Sequence, residues 1–326
     1  MRLYFPLFCL IVIFAGCTKT ELSQSEFVLA TVCRITLFDK GKPQIYREIF
    51  GRLREIENRM SSHLEGSDVD RINKAAGIEA VEVHQDVFYV IEQALHYAEL
   101  SGGAFDPTVG PLVSLWNISG ENPVVPSHEE IDQALSLINW KDLELNREDC
   151  SVFLKKPGMA LDLGGIAKGY AADEAAAIIK KAGIPRAIID LGGNILLVGG
   201  KKDKSPWKVG IQNPYEGPGN YIGIVQTEEN SVVTSGVYER YFEVEGVKYH
   251  HILSTVDGFP VWNGLLSVTI IAGASIAADA MSTAVFALGY ENGSVMIESL
   301  EGIEAVFVFS DKSTRQSALA GFTPQL

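Results

Sequence analysis

The chain is short of positive charge, short of cysteine and, beyond its first residues, free of long apolar runs. Lysine and arginine total 27 against 41 aspartates and glutamates, a formal net charge of −14 over 326 residues. That balance argues against nucleic acid as a partner, and against holding an anionic membrane surface by general electrostatics. It also means that a phosphate-bearing ligand must be neutralised locally, by a metal, a lysine or helix amides. Of the four cysteines, Cys9 and Cys17 lie in the leader. Cys33 and Cys150 lack metal-ligand spacing, so buried thiols are expected there. His250 and His251 are adjacent on a strand and would point to opposite faces, which disfavours a transition-metal pair and leaves one general base. No low-complexity linker, coiled coil or internal repeat follows the leader.

The one apolar run, Leu3 to Gly16, follows Arg2 and has the length of a signal-peptide core, short of a membrane span. The small residues before Cys17 resemble a bacterial lipobox. The expected organisation is a signal peptide over 1–16, a lipidated Cys17 opening a polar tether over 17–26, and a folded domain over 27–326. More than one acyl chain on Cys17 would hold the protein at the membrane without a spanning helix. The expected location is the bacterial cell envelope, anchored on the outer side of the cytoplasmic membrane and facing the periplasm in a Gram-negative cell.

Within the domain, Phe27 to Phe38 reads as a strand, and Ile45, Ile49, Leu53, Ile56 and Met60 fall at helical spacing. Further helices are predicted over 86–100, over 127–138 behind a capping-box pattern, over 165–182 and over 276–288. Short strands separated by Asn-Pro, Gly-Pro-Gly and Glu-Gly turns fill 207–249. Strands mixed with helices in no strict alternation predict an α+β fold, with mixed, largely antiparallel sheets flanked by helices.

Four segments could carry chemistry. Asp162-Leu163-Gly164-Gly165-Ile166-Ala167-Lys168 ends an extended stretch and opens a helix, where free amides and Lys168 suit phosphate. A solvated turn fits the same residues equally well. Asp279 and Thr283 stand four apart, so on a helix they can aim two oxygens at one hard cation, although a helix-dipole acid and a back-bonded threonine explain them too. His251 is a possible base, with a structural histidine as its competitor. Gly103-Ala104-Phe105-Asp106 is a turn able to offer amides and an aromatic edge to a ring ligand.

Taken together, GGAFDPTVGPLV (102–113), DLGGIAKGYAAD (162–173), TSGVYERYF (234–242), HHI (250–252) and ADAMSTAVFALG (278–289) resemble the ApbE family in order and spacing. Members of this family are FAD:protein FMN transferases, commonly exported lipoproteins, and the likeness runs from about Phe27 nearly to the C-terminus. The resemblance implies an ApbE-like fold with the active site in a cleft between two lobes. It implies FAD contacts at Ala104, Phe105, Asp106, Asp162, Lys168 and Ile252. Leu29 stands where the family often has a flavin-side methionine. A magnesium site is implied at Asp279, Thr283 and a carbonyl near Gly165, with His251 as general base. The implied reaction is Mg²⁺-dependent transfer of FMN from FAD to a serine or threonine of an exported or membrane redox protein, with release of AMP. FAD pyrophosphatase and non-catalytic FAD-binding lipoprotein are the alternatives. Two departures bear on the choice. His63 stands where many members place a tyrosine in the flavin pocket, and the segment after Ile252 reads Leu253-Ser254-Thr255-Val256-Asp257-Gly258, with Ser254 early in a loop where the family favours an aspartate and proline.

Overall fold

The computed structural model describes residues 23–39, 42–217 and 219–325. A hairpin of β1 (Ser23–Val28) and β2 (Thr31–Leu37) is followed by α1 (Pro43–Met60), α2 (Asp68–Lys74), β3 (Val81–Glu82), α3 (Gln85–Leu100), α4 (Gly110–Trp116) and α5 (His128–Leu135). Next come β4 (Leu143–Asn146), β5 (Ser151–Leu154), α6 (Ala167–Lys181), β6 (Ala187–Leu191), β7 (Asn194–Val198), β8 (Trp207–Gln212), β9 (Tyr221–Thr227) and β10 (Ser231–Gly236). The chain closes with β11 (Tyr241–Val244), β12 (Val247–His250), β13 (Leu265–Ala272), α7 (Ser275–Glu298), β14 (Ile303–Phe309), β15 (Thr314–Gln316) and β16 (Phe322–Pro324).

The expected α+β class is observed. One eight-stranded sheet, ordered β1-β2-β6-β7-β10-β13-β14-β15, forms the centre, and its neighbouring strands are all antiparallel. Three smaller antiparallel sheets join β3-β5-β4, β16-β9-β8 and β11-β12. The central strands are apolar on both faces, so successive residues enter different cores. Val233, Val268, Ile270 and Phe307 pack into the main core with α1, α3, α6 and α7, while Val232, Ile271 and Val306 join Trp207, Val209, Val225 and Phe322 on the opposite side. A third cluster surrounds Trp116, whose indole N–H donates to the Gly258 carbonyl at 2.7 Å.

Several sequence expectations change. The tether over 17–26 does not reach as far as Glu26. Ser23 to Glu26 already pair with Cys33 to Thr36, because an edge strand tolerates exposed polar side chains once its backbone ladder is satisfied. Cys17 and the signal segment lie outside the described residues. The single strand expected over 27–38 is broken by a turn at Leu29 and Ala30, both left-handed with φ of 56° and 54°. That geometry suits a two-residue hairpin, but neither residue is the glycine or asparagine that usually signals one. α5 ends at Leu135 and α6 begins at Ala167, each shorter than expected. α2 and α4, at seven residues each, are too short for periodicity to reveal.

Candidate active site

α6 and α7 create the inner wall of the site. A Cβ at Gly169 would lie 2.3 Å from the Ser275 carbonyl oxygen and 2.7 Å from the Asp279 Cβ, so the absence of a side chain lets the two helices meet. α7 lacks a side-chain cap of its own. Asp173 of α6 supplies one, accepting from the Ser275 and Ile276 amides at 2.9 Å each. Burial pushes that carboxyl upward while the two amides oppose the shift.

This packing fixes Asp279 and Thr283 one turn apart on α7, as their spacing predicts. Asp279 is 4% exposed. Its Oδ2 accepts from the Gly169 amide at 2.8 Å, and its Oδ1 stands 3.8 Å from Lys168 Nζ. Lys168 also donates to the Gly164 carbonyl at 3.2 Å. Gly165 is wedged close by, since a Cβ there would be 3.4 Å from Thr283 Oγ1 and 3.1 Å from the Phe105 ring. Thus Gly165, Lys168, Asp279, Thr283 and Phe105 come together.

Asp162 closes its own turn, accepting from Gly164 N at 2.8 Å and from Ser62 Oγ at 3.0 Å. The second bond brings the segment before His63 against the glycine turn, and His63 itself is exposed. Ala104 is half-buried beside buried Phe105. Asp106 is occupied within its loop: Oδ1 takes the Thr108 amide and hydroxyl, and Oδ2 takes the Trp140 amide. Burial pushes its carboxyl up against those bonds. Its side chain therefore shapes the turn. Leu29 sits in the β1–β2 turn, packed against the main core, with no described bond to this cluster.

The opposite wall carries the histidines, which divide as expected. His250 is fully buried between Trp262 and Phe286, with Nε2 3.0 Å from the Val261 carbonyl. Burial lowers it to about 4, so it is a neutral, structural imidazole. His251 turns the other way. Its amide and its Nδ1 both address the Arg240 carbonyl, at 3.1 and 3.3 Å. A carbonyl only accepts, so Nδ1 carries the proton and Nε2 keeps its lone pair. Burial, followed by the Arg240 charge, lowers His251 to about 3. Ile252 is buried behind it, and Thr255 Oγ1 ties the following loop to the Gly103 carbonyl at 2.8 Å.

Glu239 received no role from the sequence. Its side chain is exposed, and desolvation by the neighbouring protein raises its carboxyl to about 7 against the pull of Lys168 and Arg240. Ser235 was also passed over. Its hydroxyl is 2.8 Å from Ser282 Oγ and 3.4 Å from Thr283 Oγ1. The TSGVYERYF motif contained all three residues, Ser235, Glu239 and Arg240, but a polar run after a strand carries no individual signal.

The donors suit a hard cation. One carboxylate, one hydroxyl and a glycine carbonyl are oxygen ligands of the kind magnesium takes when substrate phosphates complete its shell. No cluster of three or more His, Cys, Asp or Glu able to hold a metal occurs among the described residues.

A family model, the ApbE family, matches residues 29–307. The chain belongs to the ApbE family. An FAD:protein FMN transferase of Treponema pallidum is 37% identical over 91% of this chain and 87% of its own length. The Vibrio cholerae protein of the same name is 28% identical over 100% of this chain and 99% of its own. Among solved structures, the ApbE protein of Thermotoga maritima superposes with a TM-score of 0.84 at 36% identity, covering 90% of this chain and 96% of its own. The Vibrio cholerae flavin transferase ApbE gives 0.80 at 26%, covering 92% and 97%.

Proposed function

We propose that this chain is a magnesium-dependent FAD:protein FMN transferase that works from the cell envelope on an exported or membrane acceptor. It is an FAD:protein FMN transferase by family membership and by relatives matched along nearly their whole length. The convergence of Lys168, Asp279, Thr283 and Gly165 carries the finer reading. Those residues would hold the pyrophosphate end of FAD, with Phe105 and Ala104 beside the glycine turn. Magnesium at Asp279, Thr283 and a carbonyl near Gly165 would draw charge off the phosphate oxygens.

His251 Nε2 accepts the proton of the acceptor's serine or threonine hydroxyl. The hydroxyl oxygen forms a bond to the FMN phosphorus, the bridging P–O bond breaks, and AMP leaves with the electron pair. Lys168 stabilises the charge that collects on the phosphate oxygens. Exposure of His63 supports a second outlet, in which water replaces the hydroxyl and free FMN results.

The test incubates residues 18–326 with FAD and Mg²⁺, with and without an exported domain carrying a flavinylation serine or threonine. AMP together with an FMN mass increment on the acceptor is the expected result. AMP without the increment would make the protein a pyrophosphatase, and bound, intact FAD would make it a flavin carrier. Comparing whole cells for membrane-bound protein in the parent and in Cys17→Ser tests the lipid anchor.

A further inference from the structure

The side chain of Arg240 is exposed, and its guanidinium makes no hydrogen bond, ion pair or ring contact with any described residue. Most described arginines differ: Arg52, Arg54, Arg59, Arg71, Arg147 and Arg186 each hold a carboxylate. Arg34, Arg47 and Arg315 also hold no carboxylate among the described residues, so what sets Arg240 apart is where it stands. That position is the turn between β10 and β11, which spans the two halves of the chemistry. At one end Ser235 reaches the hydroxyls of Ser282 and Thr283, and at the other the Arg240 carbonyl holds the His251 ring. Lys168, the other cation here, is already engaged by Gly164 and Asp279.

We infer that Arg240 is a further catalytic residue, whose guanidinium clamps the non-bridging oxygens of the phosphoryl group under attack. The inference rests on the transferase reading and adds a group to its machinery. The nucleophile must stand beside His251 to give up its proton. The phosphorus it attacks is therefore on the Arg240 side of the site, while Lys168 lies on the inner wall with Asp279. As the O–P bond forms and the bridging P–O bond breaks, negative charge grows on those non-bridging oxygens before leaving on AMP. A planar, permanently charged fork matches two of them at once, which an ammonium cannot do.

The same contact would equip the base. His251 feels the charge of Arg240, with His250 and Lys168 adding in the same direction. Glu239, itself acted on by Arg240, Lys168 and Asp279, is the nearby acid on the same turn. A phosphate anion seated on the guanidinium cancels much of the repulsion, so His251 becomes a stronger proton acceptor only when substrate is in place.

Arg240→Ala and Arg240→Lys leave the main-chain carbonyl that orients His251, so they isolate the side chain. The readouts are AMP release at saturating FAD, the KM for FAD, and rescue of the alanine variant by soluble guanidinium. The alanine variant should lose roughly 100-fold or more in kcat, with KM changed far less, as expected when a charge-stabilising donor is removed. Guanidinium should restore part of that loss, and the lysine variant should fall between. A kcat for Arg240→Ala within about twofold of the parent, or a loss that guanidinium leaves untouched, would overturn the assignment. Absence of AMP release by the parent protein would instead overturn the transferase reading, and this inference with it.

Discussion

The two walls of the site are built in opposite ways. On the α6–α7 wall, each polar group is already held inside the fold: Asp279 by the Gly169 amide, Lys168 by Gly164, and the start of α7 by Asp173. On the wall carrying His251, the ring is fixed through a single backbone carbonyl, Arg240 has no side-chain partner among the described residues, and large apolar side chains are left open to solvent. Trp262 is 62% exposed and Val256 is 88% exposed. In the proposed reading the rigid wall would meet a part of the substrate that never varies, the pyrophosphate of FAD. The open wall would then admit the acceptor protein, and exposed apolar residues are what such a surface requires.

The largest expected effect comes from removing the charge at the centre of the held wall. Asp279→Asn keeps an oxygen for the Gly169 amide but loses the anion, so turnover should fall roughly 100-fold or more with the melting temperature nearly unchanged. Unchanged AMP release in Mg²⁺ titrations would remove the metal role. Gly169→Ala attacks the packing of the same wall. Its Cβ would collide with a backbone oxygen that cannot rotate away, and we expect a loss of about 3 kcal/mol in denaturant unfolding. A loss near zero would show that the α6–α7 contact is pliable.

Acid should expose a third difference. The folded state holds His250 at about 4 against an ordinary 6.5. The unfolded chain therefore binds the extra proton between those values, so the stability linked to this group is complete above 6.5 and is lost as pH falls towards 4. The loss amounts to about 3 kcal/mol. His250→Gln should be less stable at pH 7 yet show a flatter decline, measured by urea unfolding across that window. The smallest effect belongs to the open wall. Trp262→Ser should raise the KM for the acceptor protein roughly fivefold and leave the KM for FAD alone, as for a truncated interface aromatic. A matching rise in both would assign Trp262 to the flavin side.

Much of the held wall was legible in the sequence, because its chemistry depends on local spacing. Asp279 and Thr283 four residues apart needed only a helix to share a face, and the glycine turn before Lys168 announced itself by composition. The class of fold could also be read, since strands and helices alternate without order. What escaped notice depends on contacts between distant segments. Asp173 caps a helix that begins about a hundred residues later, and Ser62 reaches Asp162 across a similar distance. Asp106 also holds its own loop together, through Thr108 and through Trp140, whose approach no local pattern reveals. The Leu29–Ala30 turn was hidden because left-handed residues other than glycine or asparagine carry no mark in sequence.

The early start of β1 has a spatial consequence. Were Cys17 lipidated, as proposed, only residues 18–22 would separate the anchor from Ser23, which already lies in the outermost strand of the central sheet. At full stretch that is about 20 Å of chain, well short of the span of the domain it holds. The enzyme would therefore patrol a thin layer over the bilayer rather than the whole compartment. Acceptors that present their hydroxyl in that layer would meet it at a high local concentration. A site carried far out on a long stalk would be beyond its reach.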